Sequence, residues 1–120
     1  MSRPPVRLLV RPSLRGPGGA LLPNWLAITV GRTVVSWRPL DDAERAHELC
    51  HVRQWDAAGR IRYPVRYAAA SLRAWRGGGH WYRDNAYEME ARVAADSVRV
   101  AADAVRAGSA LASPAPPRPG

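Results

Sequence analysis

The chain has 120 residues and a mass of 13.1 kDa, which is enough for one domain with a modest core. Hydrophobic residues make up 47% of the sequence and charged residues 23%, a composition that excludes a wholly disordered chain. The formal net charge is +8 and all 18 basic residues are arginine; because they are spread along the chain, we interpret them mainly as a solubilising surface.

A single cysteine excludes an internal disulfide, and no apolar run is long enough to span a membrane. The apolar run near the N-terminus, Leu8-Leu9-Val10, is also too short for the core of a signal peptide. We therefore expect a cytoplasmic protein without a transmembrane segment.

A proline-rich stretch precedes the first predicted elements. Residues 1–24 contain five prolines and are predicted to form an arm or loop, with a strand of the sheet as an open alternative. Residues 25–30 and 33–37 are rich in β-branched and aromatic side chains, which predicts two strands. Gly31 lies between them and supplies the positive φ of a tight turn, so we expect a β-hairpin or small sheet here.

Three helices are predicted after the hairpin. The capping-box spacing of Asp41 and Glu44 starts the first helix, which extends to about residue 58. Pro64 suits the first turn of a second helix, which extends to about residue 75. Asp84 or Asn85 caps a third helix, which extends to about residue 106 and ends at a glycine. We expect an α+β fold with one domain over residues 25–108 and a flexible, proline-rich tail over residues 109–120.

The first of these helices contains an H-E-x-x-H motif, His47-Glu48-Leu49-Cys50-His51. Residues four apart project from the same face of a helix, so both imidazoles can bind one Zn²⁺ ion. Glu48 is placed to take a proton from a water molecule on that ion. Cys50 projects about 100° away from His51 and is expected to pack inward as a small hydrophobic residue.

A zinc site of this kind needs a third protein ligand from another part of the chain. The candidates by residue type are Cys50, His80, Asp84, Glu88 and Glu90. Glu88 and Glu90 are about 200° apart around the third helix, so only one of them can face the metal. Glu88 also has capping-box spacing from Asn85. Periodicity alone does not choose between the two glutamates.

Residues 47–54, HELCHVRQ, resemble the active-site helix of gluzincin-type zinc metallopeptidases. In that group, a glutamate within an E-x-x-A-D or E-x-x-A-N pattern on a downstream helix is the third zinc ligand. Residues 88–92, EMEAR, are similar at Glu and Ala. The resemblance therefore implies Glu88 as the ligand, with Glu90 as the alternate. The similarity ends at Arg92, where an Asp or Asn side chain often orients a histidine ligand.

The resemblance extends to small zincin-like domains of bacterial toxin and contractile-injection-system proteins. These domains share a T-x-G hairpin before H-E-L-x-H-V-x-Q, and the same pattern occurs here from Thr29 to Gln54. The resemblance implies a zincin-like fold with the motif on the first long helix.

These features predict a metallopeptidase that hydrolyses a peptide or protein substrate. The implied zinc ligands are His47, His51 and Glu88, and Glu48 is the expected general base. Three further side chains are candidates for stabilising the oxyanion of the reaction: His80, Tyr82 and Tyr87.

Two other functions also fit the sequence. A zincin-like domain can keep its metal and serve as a catalytically silent interaction or structural module, and the short chain leaves little room for a substrate-binding subdomain. A basic nucleic-acid-binding module is the third hypothesis. The best patch for nucleic acid or an anionic surface lies on the second helix, where aromatic residues are interleaved with Arg62, Arg66, Arg73 and Arg76. We interpret this patch mostly as a solvated face.

Overall fold

The computed structural model describes residues 4–16 and 26–112, which form a three-stranded sheet followed by three helices. The strands are β1 (Arg7–Val10), β2 (Ala27–Val30) and β3 (Thr33–Ser36). Their order in the sheet is β1-β3-β2. β2 and β3 form the predicted antiparallel hairpin around Gly31, whose φ of 62° lies in the region that favours glycine. The predicted α+β layout is therefore confirmed.

β1 lies within residues 1–24, which were predicted as an arm or loop with a strand of the sheet as the open alternative; the strand is what the structure shows for Arg7–Val10. This strand pairs in parallel with β3, with Leu9 opposite Val35. Pro5 and Pro12 lie just outside the strand, and the proline-rich composition concealed it. Parallel pairing joins segments that are far apart in the chain, so no local pattern predicts it. Residues 1–3 and 17–24 of the predicted arm lie outside the described part of the chain.

The three helices are α1 (Asp42–Ala58), α2 (Arg62–Arg76) and α3 (Ala86–Ala112). The predicted capping box begins α1. Asp41 Oδ1 accepts a hydrogen bond from the Glu44 amide at 2.7 Å, and Glu44 Oε1 accepts one from the Asp41 amide at 3.0 Å. Gly59, with a φ of 94°, follows the last residue of α1 as predicted.

One helix agrees with its predicted boundaries and one differs at its end. α2 begins at Arg62, and Pro64 still lies in its first turn, where no intrahelical partner for its nitrogen is needed. α3 continues through Gly108 to Ala112, so residues 109–112 of the predicted tail are helical. One glycine inside a helix destabilises it by about 1 kcal/mol, which is not enough to end a long helix. Residues 113–120 lie outside the described part of the chain.

α1 is the central element of the packing. It contacts α3 over the largest surface, and it also contacts β2 and α2. The buried apolar side chains come from β3, α1, α2 and the first half of α3: Val34, Ala43, Cys50, Val52, Tyr63, Ala91 and Ala95. Within residues 4–16 and 26–112, no helix is both long and apolar enough to cross a membrane.

Candidate metal centre

The two histidines of the motif lie next to each other on α1, one helical turn apart. Their ring centroids are 5.0 Å apart. His51 is buried and His47 is half-buried. The spacing in the sequence therefore places both imidazoles in one region, at the contact between α1 and the start of α3.

Glu88 on the first turn of α3 completes a cluster with these histidines. Its Oε2 lies 3.3 Å from His47 Nε2 and 3.1 Å from His51 Nε2. The ligand atoms that the three residues offer all lie within 4.8 Å of one another. In a tetrahedral site with metal–ligand distances of about 2.1 Å, neighbouring ligand atoms are about 3.4 Å apart. The three residues are therefore close enough together to bind a metal ion.

Glu90 has different neighbours. Its Oε1 accepts hydrogen bonds from Cys50 Sγ at 3.4 Å and from Gln54 Nε2 at 3.3 Å. Of the two glutamates, Glu88 is thus the one that lies beside the histidines. Burial, together with the hydrogen bond to Glu90, raises the pKa of the Cys50 thiol to about 11. Cys50 is therefore a neutral, inward-packed thiol, and it is not part of the cluster that the two histidines form with Glu88.

The cluster places a buried carboxylate between two imidazoles. Glu88 is only 4% exposed. Burial raises the pKa of Glu88, but the hydrogen bonds with His47 and His51 outweigh burial and hold it well below its usual range. Burial likewise lowers the pKa of His51, but the hydrogen bond with Glu88 and its charge raise it above the ordinary value. Glu88 therefore stabilises a positive charge next to the Nε2 atoms of His47 and His51, either as bound protons or as a cation.

Gln54 orients His51. Its Oε1 lies 2.9 Å from His51 Nδ1, and because an amide oxygen can only accept, the ring donates from Nδ1. Gln54 is itself held by two bonds: its Nε2 donates to the Tyr87 carbonyl at 2.9 Å, and its Oε1 accepts from the Tyr63 hydroxyl at 2.8 Å. A proton fixed on Nδ1 leaves Nε2 to face Glu88 and a metal ion. The role expected of an Asp or Asn at position 92 is thus filled by a residue of α1.

Two tyrosines of α2 support the cluster, although in the sequence they are interleaved with the arginine patch. The Tyr67 hydroxyl donates to Glu88 Oε1 at 2.8 Å, and the Tyr63 hydroxyl donates to Gln54. Burial and the charge of Glu88 raise the pKa of both phenols, which keeps them protonated as donors. In the sequence, the four-residue spacing of Tyr63 and Tyr67 indicates a shared role, because it places both side chains on one face of α2.

Glu48 is held by the hairpin. Its Oε2 accepts a hydrogen bond of 2.8 Å from Thr29 Oγ1, and Thr29 belongs to β2. Glu48 is 8% exposed. Its negative charge helps to raise the pKa of His51, so a second carboxylate lies within electrostatic range of the cluster and is held by a separate element.

Two of the three candidate oxyanion donors, Tyr87 and His80, contact groups outside the cluster of His47, His51 and Glu88. The Tyr87 ring packs edge to face on Tyr63, with centroids 5.3 Å apart. His80 Nδ1 accepts hydrogen bonds from the backbone amides of Tyr82 and Arg83, both at 3.1 Å. His80 thus organises the loop before α3 and is not part of the metal cluster found among the described residues.

Tyr82 is the candidate oxyanion donor whose phenol interacts electrostatically with the cluster. Burial, and after it the negative charges of Glu88 and Glu48, raise the pKa of its phenol. Asp84, another candidate ligand, accepts a hydrogen bond of 2.6 Å from the His80 amide and belongs to the same loop. The loop therefore brings the Tyr82 phenol towards the cluster, whereas the Asp84 carboxylate accepts a hydrogen bond from a backbone amide of the loop itself.

Comparisons with protein-family models, with curated proteins and with solved structures found no match for this chain. The arrangement of the side chains is therefore what defines the class of site. It is a His₂Glu cluster between two helices of a small α+β domain, with a second glutamate held beside it.

Proposed function

We propose that this chain is a minimal, zincin-like, zinc-dependent peptidase. The observation that carries the proposal is the approach of His47 Nε2 and His51 Nε2 to one oxygen of Glu88, at 3.3 and 3.1 Å, with Glu48 directly after the first histidine. Imidazole and carboxylate are both good zinc ligands. Three protein ligands also leave a fourth coordination position open, which catalytic zinc sites require.

Zinc, when bound, supplies a Lewis acid that lowers the pKa of water to about 7 and polarises a carbonyl group. The residues of the chain carry the protons. Thr29 holds Glu48 through Oε2, so that Glu48 Oε1 accepts the proton of the attacking water and later delivers it to the leaving amine. Tyr82, whose raised pKa keeps its phenol protonated, donates to the oxyanion of the substrate.

The outer edge of β2 supplies a binding surface for an extended peptide. β2 is an edge strand and it contacts α1. In the hairpin register, Ala27 and Thr29 direct their main-chain groups away from β3. The Thr29 carbonyl accepts a hydrogen bond of 3.2 Å from Trp55 Nε1. Ala27 therefore offers its N–H and C=O to a substrate strand.

Metal content tests the first step. Elemental mass spectrometry of the purified protein is expected to find one zinc per chain, lost in His51→Ala and in Glu88→Gln. Two matched controls keep the metal: His80→Ala removes the third histidine, and Glu90→Gln changes a glutamate two residues away on the same helix. Absence of zinc after growth with added zinc, or equal losses in Glu88→Gln and Glu90→Gln, would contradict the proposed site.

Hydrolysis tests the second step. A zinc-loaded chain is incubated with a diverse peptide mixture, and cleavage is followed by mass spectrometry. Glu48→Gln is expected to lower the cleavage rate by about 10²–10⁴-fold with zinc retained, because it removes only the general base. If the zinc-loaded wild type cleaves nothing, the peptidase proposal is wrong and a catalytically silent interaction module is favoured instead.

A proline at position 27 tests the substrate edge. Ala27→Pro removes an N–H that points away from β3, so the hairpin is expected to remain intact and KM to rise at unchanged zinc content. Ile28→Pro removes a donor to β3 instead and is expected to unfold the hairpin. Peptide binding that is unchanged in Ala27→Pro would exclude strand addition at this edge.

A further inference from the structure

α2 has an exposed apolar stripe on the side of the helix that faces away from the metal centre. The exposed fractions are 85% for Ile61, 67% for Val65 and 64% for Trp75, which are high values for such side chains. Successive residues are four or three positions apart, so they form a continuous stripe along one side of the helix. The members of the apolar stripe are Ile61, Val65, Ala68, Leu72 and Trp75.

A row of exposed arginines runs beside the apolar stripe, about 100° further around the helix. The members of this arginine row are Arg62, Arg66, Arg73 and Arg76. No Asp or Glu occurs from residue 57 to residue 83, so no acidic side chain of this segment balances the row. The side of α2 that carries Tyr63 and Tyr67 is occupied by the metal centre, about 140° from the centre of the apolar stripe.

We propose that α2 binds the surface of a membrane that contains anionic lipids. The helix is about 22 Å long and lies parallel to the bilayer. The apolar stripe inserts at the boundary between headgroups and acyl chains, and the arginine row contacts lipid phosphates. This combination of an aliphatic stripe, a tryptophan and a purely basic flank is typical of interfacial helices.

A bilayer fits this face better than a nucleic acid does. Single-stranded nucleic acids bind through aromatic side chains that stack on bases, whereas the apolar stripe is mostly aliphatic. Tyr63 and Tyr67, which the sequence placed among the arginines, point into the metal centre and cannot stack on a base. Electrostatic attraction alone would also leave Ile61, Val65 and Leu72 without a function.

Vesicle co-sedimentation of the full chain tests this proposal. The protein is expected to bind phosphatidylcholine vesicles that contain phosphatidylglycerol, and to bind pure phosphatidylcholine vesicles much more weakly. The double variant Arg66→Gln/Arg73→Gln is expected to bind about 30-fold more weakly, roughly fivefold for each arginine. Leu72→Gln is expected to bind about tenfold more weakly because it removes an inserted side chain.

The charge-matched control is Arg99→Gln/Arg106→Gln on α3, where both arginines are exposed and pair with aspartates of their own helix. It is expected to bind within about threefold of the wild type, since these arginines lie off the α2 face. Three results would overturn the proposal: equal weakening in the control, no effect of Leu72→Gln, or arginine-dependent binding of single-stranded DNA without vesicle binding. Circular dichroism confirms that each variant is folded, as expected for substitutions at exposed positions.

Discussion

Replacing Gln54 should weaken metal binding without removing any of the three proposed ligands. In Gln54→Leu, His51 Nδ1 loses the acceptor that lies 2.9 Å away and keeps only the Tyr63 hydroxyl at 3.4 Å, so the ring is oriented less firmly. Loss of such an orienting partner typically weakens metal affinity by about 10–100-fold, equivalent to about 1.4–2.7 kcal/mol. The measurement is zinc competition against a chromogenic chelator.

The same substitution should also destabilise the fold, because Gln54 is buried and holds two other groups. The Tyr87 carbonyl loses its donor, at about 1–3 kcal/mol for a buried group left unsatisfied, and the Tyr63 hydroxyl loses its nearer partner and keeps His51 Nδ1 at 3.4 Å. Thermal unfolding in chelator and in excess zinc separates this effect from the loss of affinity.

Two further variants complete the test of Gln54. Gln54→Glu keeps an acceptor for His51 but replaces the amide donor that faces the Tyr87 carbonyl and Glu90. It should therefore retain more zinc affinity than Gln54→Leu while still lowering stability. Arg53→Leu changes the exposed neighbour and should alter neither property. Wild-type zinc affinity in a folded Gln54→Leu protein would refute the orienting role.

Three further predictions follow from individual contacts. Thr29→Val removes the donor to Glu48 Oε2 and should reduce peptide cleavage at unchanged zinc content; full activity would show that Glu48 is held by other means. Asp41→Ala removes the N-cap of α1 and should lower the free energy of unfolding by about 0.5–2 kcal/mol in a denaturant titration, whereas no change would show that the capping box contributes nothing. The pKa of Cys50, raised to about 11, should make the folded thiol resist alkylation near pH 8.5, where an unfolded thiol is half ionised. The stability contributed by this neutral thiol is present below the unfolded pKa of about 8.5 and is lost as pH rises towards 11. Labelling of folded protein at the rate of a free thiol would contradict the burial of Cys50.

The parts of the fold that the sequence predicted are those that local chemistry determines. The capping box at Asp41, the turn at Gly31 and the end of α1 at Gly59 each depend on residues within a few positions of one another. The four-residue spacing of His47 and His51 also acts locally, within one turn of α1. For these features, the sequence and the structure agree to within one or two residues.

The parts that the sequence did not predict depend on contacts across the chain. β1 became a strand only through its parallel pairing with β3. Periodicity alone did not choose between Glu88 and Glu90, because it does not specify which face of α3 packs against α1; only the resemblance had implied Glu88. The hydrogen bond from Tyr67 to Glu88 joins residues of different helices, and no spacing rule within α2 specifies its partner.

The contacts of Thr29 and Gln54 give a physical meaning to the T-x-G and Q positions that flank the motif. Thr29 contacts Glu48, the proposed base, and Gln54 contacts His51, a proposed ligand. The two supports come from opposite sides, since Thr29 lies on the sheet whereas Gln54 is fixed by Tyr63 of α2 and by the Tyr87 carbonyl of α3.

The two halves of the proposed chemistry therefore depend on different parts of the fold. A perturbation of the hairpin should lower peptide turnover and leave zinc affinity unchanged, because only the base is held there. A perturbation of the packing between α2 and α3 should lower zinc affinity first, because the contacts of Gln54 and Glu88 lie there. Thr29→Val and Tyr67→Phe form the matched pair for this comparison. Equal losses of zinc in both would show that the sheet and the helices act on the cluster as one unit.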